Sequence, residues 1–232
     1  MKLLINLPSR SRPRKCLNIL DSYLNMSTHE DTHFIISCDI DDESMNNESM
    51  ISAIKSKPKV DICFNENKII KNNQKSNFTT KINAINSGVK GREFDICLLA
   101  SDDMHPEEKG FDSIITTDMT RHFPDTDGVL WYNDGYQGEK LNTLCILGKK
   151  YFDRFNYIYH PSYITLYCDD EFTQVSKRLK KCKYIDKTII RHKHWSHADN
   201  QNQRDSLDVK NDVFACYDQN NFEQRKSKGF PE

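Results

Sequence analysis

The sequence lacks the features that mark several large classes of protein. No apolar run among its 232 residues is long enough to span a bilayer, and the N-terminal apolar segment is too short for a signal-peptide core. Neither sign of charge is in excess, since 33 basic and 34 acidic residues give a formal net charge of −1. This balance argues against a protein that binds nucleic acid through bulk charge. We therefore expect a protein without a transmembrane segment, whose first residues form a strand.

The cysteines show no pairing pattern. The chain has eight cysteines but no C-x-x-C motif, and three of them fall inside predicted strands, where a free thiol behaves as a small apolar side chain. This usage suits a reducing compartment better than a disulfide framework, so we expect free thiols and a cytoplasmic location. A composition rich in Asn, Lys and Ile is compatible with a phage or another AT-rich genome.

Strands and helices alternate in the first hundred residues. Short apolar runs at residues 3–7, 34–38, 60–64 and 96–100 predict buried strands. Between them, residues 13–24, 43–57 and 80–89 predict helices, the last with Thr79 or Thr80 as its N-cap. We interpret residues 66–77, which are polar and lack periodicity, as a loop. The alternation predicts a parallel sheet with crossover helices.

The pattern changes in the second half of the chain. Residues 128–132, 143–147 and 187–195 predict strands, and residues 149–155 predict a short helix. Asp169, Asp170 and Glu171 open a helix whose apolar stripe runs to Cys182. Acids in a first helical turn stabilise the helix whether or not they have another role. A polar linker at residues 196–204 precedes a last amphipathic helix within residues 205–224.

The stretch FDICLLASDDMHP, residues 94–106, combines a buried strand with an acidic turn. Asp102 and Asp103 follow the apolar run, and Pro106 ends regular structure. Ligands of open α/β sheets bind outside the carboxyl ends of the strands, and two adjacent carboxylates there favour Mg²⁺ or Mn²⁺. The alternative is a turn with two solvated acids. The pattern resembles the DXD segment of GT-A fold glycosyltransferases, with Ser101 at its first acidic position.

Other segments extend this resemblance in the same order along the chain. A basic loop follows the first strand, an acid ends the second, a Lys-x-Asn pair opens the helix before the acidic turn, and His-x-His-Trp comes late. The resemblance implies a donor site formed by Pro8, Ser9, Arg10, Arg12, Asp39, Lys81, Asn83, Ser101 and Asp102. It implies a metal site formed by Asp103 with His192 or His194. It also implies a catalytic base at Asp169, with Asp170 as the second choice.

The resemblance also implies a fold and an activity. The fold is α/β, with a Rossmann-like nucleotide-binding half and a mixed central sheet flanked by helices. We expect one catalytic domain at residues 1–200, divided at residue 106 into nucleotide-binding and acceptor-binding halves, and a helical extension at 201–232. The activity would be transfer of a sugar from a nucleoside-diphosphate sugar, with a UDP-sugar favoured, Mn²⁺ or Mg²⁺ as cofactor, and inversion of the anomeric centre. The acceptor would be a glycan, a lipid-linked sugar or modified DNA.

Three alternatives stay open. The same chemistry could act on a hydroxymethylated base of phage DNA. A sugar nucleotidyltransferase would also combine acids with Mg²⁺, although the basic loop PSRSRPRK has no glycine. A non-enzymatic nucleic-acid-binding module is the third, because residues 10–15, 177–183 and 191–193 are basic stretches that could bind phosphates.

Overall fold

The computed structural model describes residues 1–66, 70–71, 77–78, 80–197, 199–200 and 204–230. Within these ranges the strands are β1 (Leu3–Ser9), β2 (Thr32–Asp39), β3 (Val60–Asn65), β4 (Ile70–Lys71), β5 (Asn77–Phe78), β6 (Ile96–Leu99), β7 (Met104–Pro106), β8 (Val129–Tyr132), β9 (Ile146–Gly148), β10 (Cys182–Ile185) and β11 (Ile190–His192). The helices are α1 (Pro13–Met26), α2 (Glu48–Lys55), α3 (Lys81–Val89), α4 (Phe111–His122), α5 (Lys149–Asp153), α6 (Cys168–Arg178), α7 (Ser206–Asp212) and α8 (Ala215–Ser227).

A seven-stranded mixed sheet in the order β10-β8-β9-β6-β1-β2-β3 forms the centre of the protein. β1 pairs in parallel with both β2 and β6, whereas β9 runs antiparallel between β6 and β8. The mixed sheet predicted above is therefore confirmed. Because β1, β2 and β6 are adjacent and parallel, their carboxyl ends meet at one edge, and the loops that follow them come together there.

Both faces of the sheet are covered, which explains why the strands are mostly apolar. Alternate residues of β1 point to opposite faces, so Leu3, Ile5 and Leu7 pack with α1, while Leu4 packs with α3. Asn6 of β1 is polar yet fully buried, and it donates from its side chain to the carbonyl of Ile85 on α3. These contacts fix the helices that carry the loops at the sheet edge.

A small antiparallel pair, β7 with β11, joins the acidic turn to the late histidines. His192 lies opposite Met104, and the Lys193 amide donates to the Asp103 carbonyl at 2.8 Å. This pairing, which connects residues almost ninety positions apart in sequence, places His192 beside the acidic turn.

The C-terminal helices pack onto the rest of the fold. Asp218 on α8 is fully buried, and its carboxylate accepts three hydrogen bonds from the backbone amides of Ile164, Thr165 and Leu166 at 2.8–2.9 Å. Arg225 forms a bidentate ion pair with Glu171 of α6, both N–O distances being 2.7 Å. α8 thus contacts both the segment that precedes α6 and the first turn of α6.

Several element boundaries differ from the sequence-based predictions. The structure places Cys182 at the start of β10 instead of on the preceding helix, because Lys180 adopts a positive φ of 55° and ends α6. The predicted last helix is two helices, since the chain turns between α7 and α8 at residues 213–214. The structure adds α4, which the sequence analysis did not identify. Thr80 caps α3 by accepting from the Asn83 amide, while Thr79 lies outside the described residues.

The cysteine side chains are free thiols, and most of them are buried. Burial raises the pKa of Cys97 and of Cys145, which disfavours their thiolate forms. Among the described residues, no helix combines the length and apolar character needed to cross a membrane.

Candidate active site

A cavity of about 550 Å³ lies at the sheet edge where β1, β2 and β6 end, and we call it the main cavity. It collects residues from the beginning, middle and end of the chain. Of the site residues predicted from the sequence, Asn83 and Asp170 are not among those that line it. Its lining includes Pro8, Ser9, Arg10, Arg12, Asp39, Lys81, Ser101, Asp102, Asp103, Asp169, His192 and His194.

Asp103 is held as a carboxylate by its neighbours. The Ser101 hydroxyl donates to one carboxylate oxygen, and His192 Nε2 lies 3.5 Å from the other. Burial favours the neutral acid, but His192 and Ser101 outweigh it and hold the pKa of Asp103 well below its ordinary range. Ser101, at the first position of the acidic motif, therefore orients Asp103.

His192 is the charge partner of Asp103. Burial disfavours the imidazolium, but the Asp103 carboxylate outweighs this effect and raises the pKa of His192. Its Nδ1 atom is buried and has no hydrogen-bond partner within the described part of the chain. The His194 ring lies beside it, 5.5 Å from centroid to centroid, in the loop after β11. Both histidines line the main cavity, although only His192 belongs to the strand.

These residues can contribute to a divalent metal site but cannot complete one. The 3.5 Å separation between His192 Nε2 and Asp103 Oδ2 is long for a hydrogen bond, and both atoms are of ligand type. In the ranges that the structure describes, no three His, Cys, Asp or Glu side chains form a metal cluster. Mg²⁺ typically binds one or two protein carboxylates and takes its other ligands from phosphates and water. The donor set fits such a shared site.

Arg12 links the acidic turn to the C-terminal segment. Its guanidinium pairs with Asp102 at 3.1 Å and with both Asp205 and Asp208 of the α7 start at 2.7 Å. Asp205 caps α7 and forms a capping box with Asp208, so the helix start is preformed for this contact. Burial raises the pKa of Asp102 although Arg12 opposes that change.

α7 and the turn after it form a wall of the main cavity that the sequence analysis did not assign to the site. The lining residues from this segment are Leu207, Asp208, Lys210, Asn211, Asp212, Val213 and Phe214. The sequence analysis places this segment in a helical extension, because the resemblance ends before it. The acids of the capping box were a possible signal, but their pairing with Arg12 spans more than 190 residues.

Another wall of the main cavity holds Arg10, which pairs with two carboxylates, and Asp39, which has a carboxylate oxygen without a hydrogen-bond partner in the described chain. Arg10 contacts Asp39 at 2.8 Å and Asp41 at 2.7 Å. Burial raises the pKa of Asp39 against the opposing effect of Arg10. The Oδ1 atom of Asp39 is buried and has no hydrogen-bond partner among the residues the structure describes. It is therefore available to a donor group of a ligand.

Lys81 is a cation on the first turn of α3, at the rim of the main cavity. Its charge lowers the pKa of Asp102, Asp103 and Asp169 and so favours the carboxylate form of all three. No described residue forms an ion pair with it. Asn83, two positions on, instead donates to the Glu66 carbonyl at 2.8 Å.

The acidic triplet at the start of α6 divides into three environments. Asp169 lines the main cavity, and burial raises its pKa despite the opposing charges of Lys81 and His192. Asp170 lies outside the lining, and burial together with Asp169 raises its pKa to about 6. Glu171 is buried in its ion pair with Arg225. Only Asp169 of the three faces the cavity.

Comparison with known proteins identifies the fold. No protein-family model matches the chain, and no curated protein is significantly similar to it in sequence. Among solved structures, it is similar to residues 1–349 of TarS from S. aureus in complex with UDP, with a TM-score of 0.62 and 11% identity, covering 82% of this chain and 60% of that one. The same TarS fragment in complex with UDP-GlcNAc gives a TM-score of 0.58 and 13% identity over 82% of this chain and 58% of that one.

A second protein gives the same result. The mannosyltransferase PcManGT from Pyrobaculum calidifontis, in complex with GDP-Man and Mn²⁺, gives a TM-score of 0.56 and 11% identity, covering 81% of this chain and 55% of that one. The chain thus spans at most about 60% of the length of these proteins. At such low identity the likeness shows the fold alone, and it confirms the predicted GT-A architecture.

Proposed function

We propose that this GT-A fold chain is a metal-dependent glycosyltransferase that uses a nucleoside-diphosphate sugar, with a UDP-sugar favoured. The observation that carries the proposal is the main cavity, which collects an acid–histidine pair, a cation without an ion-pair partner in the described chain and a buried carboxylate at one sheet edge. The structures of the neighbouring proteins are complexes with UDP, UDP-GlcNAc or GDP-Man, which supports a donor of this class.

The nucleotide would lie between β1 and β2. The free oxygen of Asp39 accepts a hydrogen bond from a ring N–H, a group that uracil and guanine both carry. Arg10 fixes the other oxygen of that carboxylate, so its orientation is set before the ligand arrives. Pro8 and Ser9 form the floor of this part of the cavity. Asp102, held by Arg12, would contact the ribose.

The diphosphate would lie between the acidic turn and α3. Asp103 and His192, with His194 nearby, would hold Mn²⁺ or Mg²⁺ together with diphosphate oxygens. A bound ion supplies Lewis-acid stabilisation of the leaving diphosphate, worth several kcal/mol. Lys81 adds a second positive charge from the opposite side, and it stands at the positive end of α3.

Asp169 would take the proton from the attacking acceptor hydroxyl. Its raised pKa brings the carboxylate closer to the working pH, which strengthens a general base. A single displacement with a base on the acceptor side inverts the anomeric centre, and we propose that outcome. Asp170 is the weaker candidate because it does not line the cavity.

Ion pairing inside the chain disfavours a general nucleic-acid-binding module. Three arginines of the basic stretches are already committed to carboxylates: Arg10 to Asp39 and Asp41, Arg12 to the α7 start, and Arg191 to Glu107. Their charges are thus largely neutralised. The acceptor is proposed to be a glycan, a lipid-linked sugar or modified DNA.

A donor screen tests the proposal. The full chain is incubated with Mn²⁺ and a set of UDP- and GDP-sugars, and slow release of UDP or GDP is measured for wild type, Asp103→Asn and Asp61→Asn. Asp61 is a matched control because it is an exposed carboxylate on β3 that is not part of the cavity lining. We expect release in wild type and Asp61→Asn and its loss in Asp103→Asn. Equal rates in all three, or exchange of nucleotide with pyrophosphate instead, would overturn the assignment.

A further inference from the structure

His194, in the loop after β11, has one ring nitrogen held by the serine two positions later. The Ser196 hydroxyl lies 2.8 Å from His194 Nδ1, and the Ser196 backbone N–H donates to the same atom at 3.3 Å. A backbone N–H can only donate, so Nδ1 presents its lone pair. The single proton of the neutral ring is then on Nε2.

The other ring nitrogen of His194 is left for a ligand. Nε2 has no hydrogen-bond partner within the described ranges, and it is not among the buried polar atoms that lack one. The atom is therefore accessible, and the ring to which it belongs lines the main cavity. Because Nε2 carries the proton, His194 offers the cavity an N–H donor.

The same His-x-Ser arrangement occurs a second time, at His160. The Ser162 hydroxyl lies 2.7 Å from His160 Nδ1, and the Ser162 backbone N–H donates to that atom at 3.2 Å. His160 does not line the main cavity. The chain thus holds a matched copy of this local contact away from the candidate active site.

The state of the ring separates the two histidines that the sequence analysis left as alternative metal ligands. A histidine that binds a metal through Nε2 carries its proton on Nδ1 and usually donates it to an acceptor. His194 has a backbone N–H at Nδ1, which opposes that arrangement. His192 Nδ1 meets no donor from the described chain, and its Nε2 lies 3.5 Å from Asp103. His192 is therefore the better metal ligand of the two.

We propose that His194 donates a hydrogen bond from Nε2 to a diphosphate oxygen of the nucleotide sugar, and that Ser196 is the positioning residue that fixes this tautomer. The inference rests on the proposed function, which places the diphosphate beside Asp103 and His192. The rings of His192 and His194 are 5.5 Å apart, so a diphosphate beside the first can also contact the second. Phosphate oxygens are strong acceptors, which matches a neutral N–H donor.

The tautomer is tested on the free chain. Long-range ¹H–¹⁵N NMR of the full chain with ¹⁵N-labelled histidine distinguishes the two ring nitrogens, and the signals lost in His194→Gln assign the ring. We expect the Nε2–H form for His194 in wild type and a mixture of both forms in Ser196→Ala. Ser162→Ala is the matched control, because it removes the same contact from His160 and should leave the His194 signals unchanged. An Nδ1–H form in wild type would overturn the inference.

Calorimetry with UDP and Mg²⁺ tests the hydrogen bond to the diphosphate. Loss of one hydrogen bond to a charged group predicts about 10- to 100-fold weaker UDP binding in His194→Ala. His194→Gln should restore most of the affinity, because its amide can donate from nearly the same place. Uridine has no phosphate, so its affinity should be equal in wild type and His194→Ala.

Titrations of UDP without Mg²⁺ distinguish a hydrogen-bond donor from a metal ligand. If His194 is a donor, Mg²⁺ strengthens UDP binding by the same factor in wild type and in His194→Ala. If His194 binds the metal, the variant loses that gain. Ser196→Ala should weaken UDP binding less than His194→Ala does, and Ser162→Ala should not change it.

The outcomes separate this inference from the proposed function. UDP binding to wild type tests the nucleotide site by itself, and its absence would overturn the proposed function together with the diphosphate contact. If UDP binds, equal affinity in wild type and His194→Ala, or loss of the Mg²⁺-dependent gain in His194→Ala, would overturn the inference alone. The tautomer of the free chain is an independent result in either case.

Discussion

Replacing Asp169 by Asn separates catalysis from helix stabilisation at the start of α6. The carboxylate lines the main cavity, and the change keeps its shape while it removes the proton acceptor. If Asp169 is the base, the transfer rate should fall by roughly 10²–10⁴-fold, the usual contribution of general base catalysis. If Asp169 only supports the helix, the transfer rate should stay near that of wild type, because Asn keeps the shape and the hydrogen-bonding oxygen of the side chain.

The stability readout has a definite sign. Burial raises the pKa of Asp169 in the folded state, so its ionisation disfavours folding as the pH rises through that raised value. Asn removes this penalty. We therefore expect the melting temperature of Asp169→Asn to equal or exceed that of wild type at pH 8. The difference should shrink as the pH falls and vanish below about pH 4, the pKa of an unperturbed Asp, where Asp169 is protonated in both the folded and the unfolded state.

The neighbouring residue supplies the control. Asp170→Asn makes the same chemical change one position later, outside the lining of the main cavity. Transfer rate, UDP affinity and melting temperature are measured together for both variants. We expect a large rate loss in Asp169→Asn alone, with UDP affinity unchanged in both. Near-normal rates in both variants would refute the base assignment, and a loss in Asp170→Asn alone would move it by one residue.

Three further outcomes are expected. Chelation by EDTA should abolish transfer and Mn²⁺ or Mg²⁺ should restore it, whereas full activity in metal-free buffer would refute the metal assignment. Calorimetry with UDP or GDP plus metal should show weaker binding in Asp103→Ala than in wild type, and unchanged affinity in the folded variant would count against the donor site. Arg225→Met should lower the free energy of unfolding in urea by about 3–5 kcal/mol, because it leaves the Glu171 carboxylate buried without its guanidinium; a change below 1 kcal/mol would show that the pair is not needed for stability.

Much of the main cavity could be predicted because its residues directly follow short apolar strands. Asp39 is the last residue of β2 and the acidic turn follows shortly after β6, and the parallel order of those strands with β1 brings them together. A short apolar run predicts a strand, and the acids at its end can be read directly from the sequence. Both are local features of the chain, so the sequence is enough to place these acids at the sheet edge.

The rest depends on contacts between distant segments. β9 has only three residues, so its antiparallel insertion between β6 and β8 leaves little periodic signal. The role of Ser101 follows from a side-chain hydrogen bond to Asp103, which a resemblance to an acidic motif does not reveal. Asp170 lies outside the cavity because of the rotation of α6 about its own axis. Three consecutive acids do not indicate which of them faces the cavity.

The pairing of Arg12 with the start of α7 has a consequence for how the protein is made. Arg12 leaves the ribosome well before its partners Asp205 and Asp208, which lie 193 and 196 residues later in the chain. Closing a loop of this length has an entropic cost of (3/2)RT ln n, so the contact forms only when the intervening sheet already holds the two ends near each other. The wall of the main cavity is therefore built after the strands that form its floor. A nascent or truncated chain that has the sheet but lacks α7 would leave the acidic turn exposed on the side that α7 covers, and its main cavity would lack one wall.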